Sequence, residues 1–305
     1  MKIAVTGANG HVGANLVRLL LKQRHRVRVL VHHNTQALQG LDVERVRGSL
    51  GNFSALESLC RDREAVFHAA AVISIAGEKE AEVYQTNVTG TKNMLLAAEK
   101  SGVKRVIHFS SIHALQQQPA DSPVDEARPL NTDSPMVYEK TKALAEKMVL
   151  GHNASRFQAI VLNPTAILGP YDFGPSFLGQ VILKMYRGRL PGLVPGGYNW
   201  VDVRDVAQAA VNALKRGKPG ERYLLSGEWQ SLKTLAEEVC RLRGRKCRLP
   251  VFPFWLARAG VPFLTAFARL TKQDPLYTAT SLKILQTANR QVLHDKARRE
   301  LDFRP

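Results

Sequence analysis

The stretch KIAVTGANGHVG, residues 2–13, joins a short apolar run to three evenly spaced glycines. The run predicts a buried strand, and Gly7, Gly10 and Gly13 fall where that strand would turn into a helix. Glycines in this setting permit a tight turn and let the backbone approach a pyrophosphate, whose charge the free N–H groups of the helix attract. No Gly-Lys-Ser/Thr follows, so the stretch predicts a dinucleotide-binding loop and not an NTPase phosphate loop.

Apolar runs and helical patterns alternate through the first half of the chain. The runs occupy residues 2–6, 26–31, 43–46, 65–70, 105–111 and 157–163. Most of them are nearly continuous in apolar residues, as strands covered on both faces are. The alternation therefore predicts an α/β fold of the Rossmann type, with a doubly wound parallel sheet.

Beyond Pro164 the sequence becomes rich in proline and glycine, and then in helical patterns. This change predicts a smaller, discontinuous and mostly helical C-terminal lobe that binds the substrate. We expect residues 1–165 plus 199–227 to form the nucleotide-binding domain, and residues 166–198 plus 228–305 to form the lobe.

The composition of the 305 residues, 45% hydrophobic and 23% charged, is ordinary for a soluble globular protein. An apolar run follows Met1 at once, so we expect no signal peptide, and no stretch approaches the roughly 20 apolar residues of a membrane span. Cys60, Cys240 and Cys247 are scattered without CxxC spacing, which argues against a disulfide framework and a metal site. We expect a cytoplasmic protein.

The net charge of +17 is concentrated in RLRGRKCR, residues 241–248. This run lacks interleaved aromatic residues, so we interpret it as a solvated face, with contact to an anionic partner as the alternative, and expect no nucleic-acid partner. Residues 251–270 place apolar side chains at helical spacing. We favour a core-facing helix there, while contact with a membrane surface stays open as the alternative.

The choice of dinucleotide depends on the end of the second apolar run, residues 26–31. An acidic residue there would bind the ribose 2′-hydroxyl of NAD and repel a 2′-phosphate. The chain has His32 instead, which can donate to a phosphate. The sequence therefore favours NADP(H), with NAD(H) as the alternative.

The stretch VYEKTKALAEK, residues 137–147, places Tyr138 one helical turn before Lys142. By itself this spacing also fits two neighbours on any amphipathic helix. It gains meaning beside other motifs, which are TGANGHVG (6–13), VFHAAA (66–71), NVTGTKNML (87–95), HFSSIHAL (108–115), LNPTAILGP (162–170) and VDVRDVAQA (201–209). With them the chain resembles extended short-chain dehydrogenases/reductases of the epimerase/dehydratase group, most closely the dihydroflavonol-4-reductase-like and hopanoid-associated sugar epimerase-like proteins.

The resemblance implies a hydride transfer between nicotinamide and a carbonyl or alcohol. Tyr138 would be the general acid/base, and the charge of Lys142, together with that of an oxidised nicotinamide, would lower the pKa of its phenol. Lys142 would also bind the nicotinamide ribose, and Ser111 would hold the substrate oxygen. Ser110 is the rival of Ser111 for that task. His113 and Tyr171 are candidate substrate contacts. The implied cofactor-binding residues are Gly7, Gly10, His11, Val12, Gly13, His32, Leu50, Ala69, Ala70, Tyr138, Lys142, Pro164 and Ile167.

Three functions remain open from the sequence. The first is an NAD(P)-dependent oxidoreductase acting on a small carbonyl or alcohol substrate, which could be apolar. The second is a nucleotide-sugar epimerase or dehydratase with tightly bound NAD. The third is a non-catalytic dinucleotide-sensing regulator, which the presence of Ser111, Tyr138 and Lys142 disfavours. By resemblance we expect a homodimer formed through the helices around residues 85–100 and 137–150.

Overall fold

Residues 2–6 form a strand of the main sheet in the computed structural model of the protein, and the predicted glycine turn leads from it into a helix. The structure describes residues 1–32, 34–74, 80–154, 156–271 and 278–305. The side chains of residues 263–271 and of residue 280 lie outside this description.

Up to residue 164 the described strands and helices follow one another as the sequence predicts, and beyond it the chain adds two short strands that were not predicted, at residues 166–168 and 228–231. The strands are β1 (Lys2–Thr6), β2 (Arg26–Val31), β3 (Glu44–Arg47), β4 (Ala65–His68), β5 (Arg105–Phe109), β6 (Gln158–Pro164), β7 (Ala166–Leu168), β8 (Gly197–Asp202), β9 (Arg222–Leu225) and β10 (Glu228–Ser231). The helices are α1 (His11–Lys22), α2 (Phe53–Cys60), α3 (Glu80–Tyr84), α4 (Gly90–Lys100), α5 (Val137–Gly151), α6 (Phe177–Arg187), α7 (Val203–Arg216), α8 (Leu232–Leu242), α9 (Phe254–Thr271), α10 (Ala279–Thr287) and α11 (Asp295–Leu301).

Seven of the described strands form one parallel sheet in the order β3-β2-β1-β4-β5-β6-β9. The register places Ile3 opposite Val27 on one side and Ala65 on the other, so β1 is hydrogen-bonded along both edges. The strand order reverses between β1 and β4, and ligands bind beside the carboxyl ends of the strands at such a point. The predicted Rossmann-type sheet is confirmed.

Both faces of this sheet are covered by helices, as nearly continuous apolar strands require. On one face α1 and α7 pack together, and Leu16 and Val206 are fully buried there. On the other face α2, α4 and α5 contribute Leu56, Met94 and Val149, which are also fully buried. Each such side chain stabilises the fold by roughly 1.5–3 kcal/mol relative to an exposed position.

The C-terminal part is largely helical, as predicted, and also contains a small sheet in the order β10-β8-β7. In this sheet β8 pairs in parallel with β7 and antiparallel with β10. The predicted domain boundary at residue 199 falls inside β8. The division of the chain into a nucleotide-binding domain and a substrate lobe stays a prediction.

Helix α9 covers most of the stretch for which a core-facing helix was expected. Phe254, Ala257 and Val261 pack against the buried side chains of α8 and α10. Trp255 and Leu256, by contrast, point outward and are 70% and 41% exposed. The expectation therefore holds for one side of the helix only, and its second half, with Arg269, lies outside the described side chains.

No helix in the described ranges is long and apolar enough to cross a membrane. The three cysteines, all described, are free thiols, and Cys60 is buried.

Gly13 gives a direct test of how tightly the first turn is packed. A Cβ at Gly13 would lie 2.1 Å from the Gly7 carbonyl oxygen and 2.7 Å from the Ala8 Cα, and these backbone atoms cannot rotate away. We expect Gly13→Ala to lower the free energy of unfolding by about 1–3 kcal/mol, as overpacking does. The measurement is chemical denaturation followed by circular dichroism.

The matched control is Gly151→Ala at the end of α5. Nothing lies within 4 Å of a Cβ at Gly151, so this variant should unfold at an unchanged or slightly higher denaturant concentration. Equal destabilisation by both substitutions would show that the close approach at Gly13 is not what demands glycine.

Candidate active site

The glycine loop lies between the carboxyl end of β1 and the first turn of α1. Gly7 has a positive φ of +69°, and a Cβ there would lie 2.6 Å from the Ala69 carbonyl carbon and the Ala70 nitrogen. The loop is thus pressed against the end of β4, where Ala69 and Ala70 were expected to meet the cofactor. Gly7 is required by its backbone conformation and by this contact.

Gly10 is a different case. Its φ of −79° and ψ of 171° are open to any residue. A Cβ would meet only the Gly7 carbonyl oxygen, at 3.3 Å, which is a tight but tolerable contact. Neither the backbone nor the packing strictly requires glycine here, so the missing side chain mainly keeps the space in front of the helix clear.

The first turn of α1 completes a phosphate-binding arrangement. No described side chain caps the helix, and its first turn contains no acidic residue. The N–H groups at the start of a helix lack intrahelical partners and attract anions. His11 and Val12 begin this helix; the His11 ring lies 3.2 Å from the Gly169 carbonyl oxygen, and Val12 packs on the core. These features fit the pyrophosphate of a dinucleotide.

The remaining cofactor candidates lie along the same sheet edge. His32 directly follows β2 and is exposed, Pro164 ends β6, and Ile167 packs on the core from β7. Leu50 differs, because its side chain is buried against Gly90 of α4. Only the backbone of Leu50 is therefore left to face a cofactor.

Ser111 and Tyr138 meet where β5 and α5 approach each other. Ser111 follows β5 and is buried, while Tyr138 lies in the first turn of α5 and is half-buried. The Ser111 hydroxyl lies close enough to the phenol to lower the pKa of Tyr138. Ser110 lies instead beside the buried Glu146 carboxyl, so of the two serines only Ser111 is presented to the tyrosine.

Burial acts on the pKa of Tyr138 against the lowering expected from Lys142 and an oxidised nicotinamide. Burial raises the pKa of the phenol above its ordinary value, and the nearby Ser111 hydroxyl offsets this rise only in part. Lys142 lies one turn further along α5, where its Nζ donates to the Phe109 carbonyl oxygen at 2.7 Å. The protein by itself thus keeps the phenol protonated at neutral pH.

Lys142 is almost completely buried, and burial lowers its pKa to about 8 against the opposing effect of Glu146. Glu146, one turn beyond Lys142, is fully buried, with its Oε1 atom 3.0 Å from the Nε of Arg222 on β9. Asn163 on β6 donates to Glu146 Oε2 at 2.6 Å and to the Ser111 carbonyl oxygen at 3.0 Å. The buried Glu146 carboxylate therefore pairs with Arg222 and is linked to Ser111 through Asn163.

The two expected substrate residues are placed differently. The His113 ring stands edge-on to Tyr138 with 6.3 Å between centroids, and its Nδ1 lies 3.7 Å from Glu139 Oε1. Tyr171 lies on the outer surface of α1, 47% exposed, where its ring packs 4.2 Å from the Arg18 guanidinium. The structure brings His113 to the tyrosine and leaves Tyr171 against the helix.

Two buried histidines behind the site escaped the sequence analysis. His68 on β4 and His108 on β5 pair in register, and their ring centroids are 5.2 Å apart. Burial lowers the pKa of both, to about 3 for His68, so both rings are neutral at physiological pH. The Thr6 and Thr91 hydroxyls hold the His68 ring at 2.7 and 3.0 Å. We interpret the two histidine rings as packing residues of the buried sheet.

Glu146, Asn163 and Arg222 were also missed. For Glu146 a signal was present, because it repeats the four-residue spacing of Tyr138 and Lys142 on one side of α5. Arg222 had no such signal, since its strand joins the sheet from far along the chain.

Comparison with known proteins identifies the family of the chain. The model of the NAD dependent epimerase/dehydratase family matches residues 3–226. The chain belongs to this family. The chain is similar to the sterol demethylase protein B of Methylococcus capsulatus, with 33% identity over 311 residues that cover 100% of this chain and 94% of that protein.

A second relative is the 4-hydroxy-2-methyl-3-oxo-4-farnesyl-3,4-dihydroquinoline-1-oxide ketoreductase of Stigmatella aurantiaca. It is 31% identical over 309 residues, covering 99% of this chain and 92% of the relative. Among solved structures, the crystal structure of gox2253 superposes with a TM-score of 0.84 at 31% identity, covering 100% of this chain and 93% of that one.

Membership of the epimerase/dehydratase family confirms the resemblance drawn from the motifs, including that to dihydroflavonol 4-reductase-like proteins. The chain is an NAD(P)-dependent oxidoreductase of the extended short-chain type. The individual roles of Ser111, Tyr138 and Lys142 stay predictions.

The space kept clear by Gly10 can be tested directly. We expect Gly10→Val to weaken dinucleotide binding at least about tenfold, because its side chain would stand in the path of the pyrophosphate. The same variant should lose less unfolding free energy than Gly13→Ala. Binding is measured by fluorescence titration with NADPH and NADH, and unchanged affinity for both would contradict the assignment of the loop.

Proposed function

We propose that the protein reduces the carbonyl group of an apolar molecule with NADPH, using Tyr138 as the proton donor. The observation that carries this proposal is the convergence of Ser111, Tyr138 and Lys142 at the sheet edge that also holds the glycine loop. A bound nicotinamide would supply the hydride, and the chain itself must supply the proton.

Each of the three residues has a separate task in this proposal. The Ser111 hydroxyl donates a hydrogen bond to the substrate oxygen and thereby holds the carbonyl beside Tyr138. The Tyr138 hydroxyl transfers its proton to that oxygen as negative charge develops there. Lys142 is held by the Phe109 carbonyl, and its positive charge stabilises the phenolate that remains.

The direction of reduction is supported by the pKa of Tyr138. Because burial raises this pKa above its ordinary value, the phenol carries its proton at neutral pH and is ready to donate it. His113, edge-on to the tyrosine, is a further group that would contact the substrate.

NADP(H) is favoured by the charges near the end of β2. His32 follows β2, and Arg47 ends the neighbouring β3, in register with Val31. No carboxylate occupies the end of β2 to repel a 2′-phosphate. A histidine and a guanidinium at this edge would both favour that phosphate.

An apolar substrate is supported by the names of the relatives. One of them is named for a sterol and another for a farnesyl-substituted quinoline oxide, and the second is a ketoreductase. Both names refer to large, mostly hydrocarbon molecules, and the ketoreductase acts on a carbonyl group. We extend that substrate class to this chain.

We also propose that the enzyme is cytoplasmic and forms a homodimer through α4 and α5. Three free thiols support the reducing compartment. On α4, Leu96 is 40% exposed, as expected for an apolar residue that is covered by a helix of the partner subunit in a dimer.

A panel of ketones, aldehydes and sugar nucleotides, assayed with NADPH and with NADH, tests the reaction. We expect stoichiometric consumption of NADPH with an apolar ketone. We expect Tyr138→Phe to lose roughly 10²–10⁴-fold in kcat, as removal of a general acid does, with unchanged NADPH affinity. Tyr186→Phe on the exposed side of α6 is the control and should keep full activity.

Two outcomes would contradict this proposal. Tightly held NAD in the purified protein, together with conversion of a sugar nucleotide and no net cofactor consumption, would identify an epimerase or dehydratase. Full activity of Tyr138→Phe would remove the tyrosine from the mechanism.

The pH dependence tests the role of Lys142. Its charged form is lost as the pH rises through its pKa of about 8, so kcat/KM for reduction should fall above that pH. Glu146→Gln removes the negative charge that raises this pKa, and the fall should therefore move to lower pH. Glu237→Gln, exposed on α8, serves as control, and an identical profile for all three proteins would contradict the role of Lys142.

A further inference from the structure

One side of α9 is apolar and lies open to solvent. Trp255, Leu256, Ala259 and Pro262 are exposed along the first half of the helix, and we call these four residues the α9 face. Trp255 is 70% exposed, which is unusual for the largest apolar side chain. The opposite side of the same half-helix is packed on the core, so the exposure does not reflect a detached element.

The segment just before α9 extends this apolar surface. Val251 and Phe252 are 43% and 37% exposed, although their backbone is fixed by hydrogen bonds between this segment and Leu193. Leu242, at the end of α8, is 67% exposed. The exposed apolar side chains thus belong to a continuous part of the chain, where isolated apolar residues would need no explanation.

Basic residues frame this surface. Residues 241–262 contain six arginines and lysines and no acidic residue. In the loop before α9, Cys247 and Leu249 turn inward onto a buried cluster, while Lys246 and Arg248 are exposed. Arg245 and, on α9 itself, Arg258 are exposed as well.

We propose that the α9 face and its basic frame dock the protein on an anionic membrane surface. Tryptophan prefers the membrane–water interface, and exposed leucine and phenylalanine can enter its apolar layer. Arginine and lysine beside them are attracted to anionic lipid headgroups. The segment combines exposed apolar side chains with basic residues. An anionic bilayer matches both features, whereas a purely apolar or purely charged partner would match only one.

A second copy of this chain is a poorer occupant. A two-fold contact through the α9 face would bring two sets of these basic residues together on a protein whose net charge is already +17. Like charges in that arrangement repel each other. Anionic lipid supplies the opposite charge and the apolar layer at once.

The proposal goes beyond the reaction proposed above, and vesicle binding can be measured without turnover. The purified full-length chain is sedimented with vesicles of phosphatidylcholine alone, and with vesicles of phosphatidylcholine mixed with phosphatidylglycerol. We expect binding to the mixed vesicles at low salt, release at high salt because the charges are screened, and weak binding to the neutral vesicles.

Two double variants separate the apolar and the charged contributions. Trp255→Ser with Leu256→Ser, and Arg245→Gln with Arg248→Gln, should each weaken sedimentation roughly tenfold. All four positions are exposed, so thermal stability and NADPH binding should be unchanged. Leu293→Ser and Arg304→Gln, at exposed positions outside this segment, are the matched controls and should bind vesicles normally.

The proposal is overturned if the protein ignores the mixed vesicles, or if neither double variant differs from its control. It is also overturned if analytical ultracentrifugation shows a dimer that the Trp255 and Leu256 double variant abolishes, because the face would then bind a second copy. Absence of carbonyl reduction together with intact vesicle binding would refute the proposed reaction but not the proposed docking of the α9 face on a membrane.

Discussion

The Glu146 carboxylate is buried without any exposure, and elements from distant parts of the sequence meet around it. Arg222 reaches it from β9 and Asn163 from β6, while Glu146 itself belongs to α5. A buried charge is costly unless it is paired and hydrogen-bonded, so these contacts are obligatory once α5 lies on the sheet. Removing one partner of such a pair typically costs about 3–5 kcal/mol.

This constraint also positions the chemistry. The Asn163 amide that satisfies Glu146 also donates to the Ser111 carbonyl oxygen, and the Glu146 charge acts on Lys142. The ends of β5 and α5 are thereby held together, so that the Ser111 and Tyr138 side chains meet. A buried ionic contact thus fixes the position of the site residues, which lie on or next to regular helices and strands.

The fold and the glycine loop were predictable because their signals are local. A run of apolar residues predicts a doubly covered strand wherever it occurs, and Gly7, Gly10 and Gly13 needed only the neighbouring strand and helix for their interpretation. The pairing of Tyr138 with Lys142 was likewise visible as a helical spacing. The sequence shows the lysine that would lower the Tyr138 pKa together with an oxidised nicotinamide, but it does not show the burial that raises this pKa in the protein by itself.

By itself the sequence determined the order of strands and helices, the dinucleotide loop and the two residues of α5 that face the site, because each depends on neighbours within one or two turns of the chain. Tertiary structure decided which serine meets the tyrosine, that Arg222 balances Glu146, that Tyr171 packs on α1, and that only one side of α9 is buried. Those outcomes depend on which surfaces the fold brings together and which it leaves exposed. Burial and long-range pairing are properties of the packed chain, and a local pattern does not contain them.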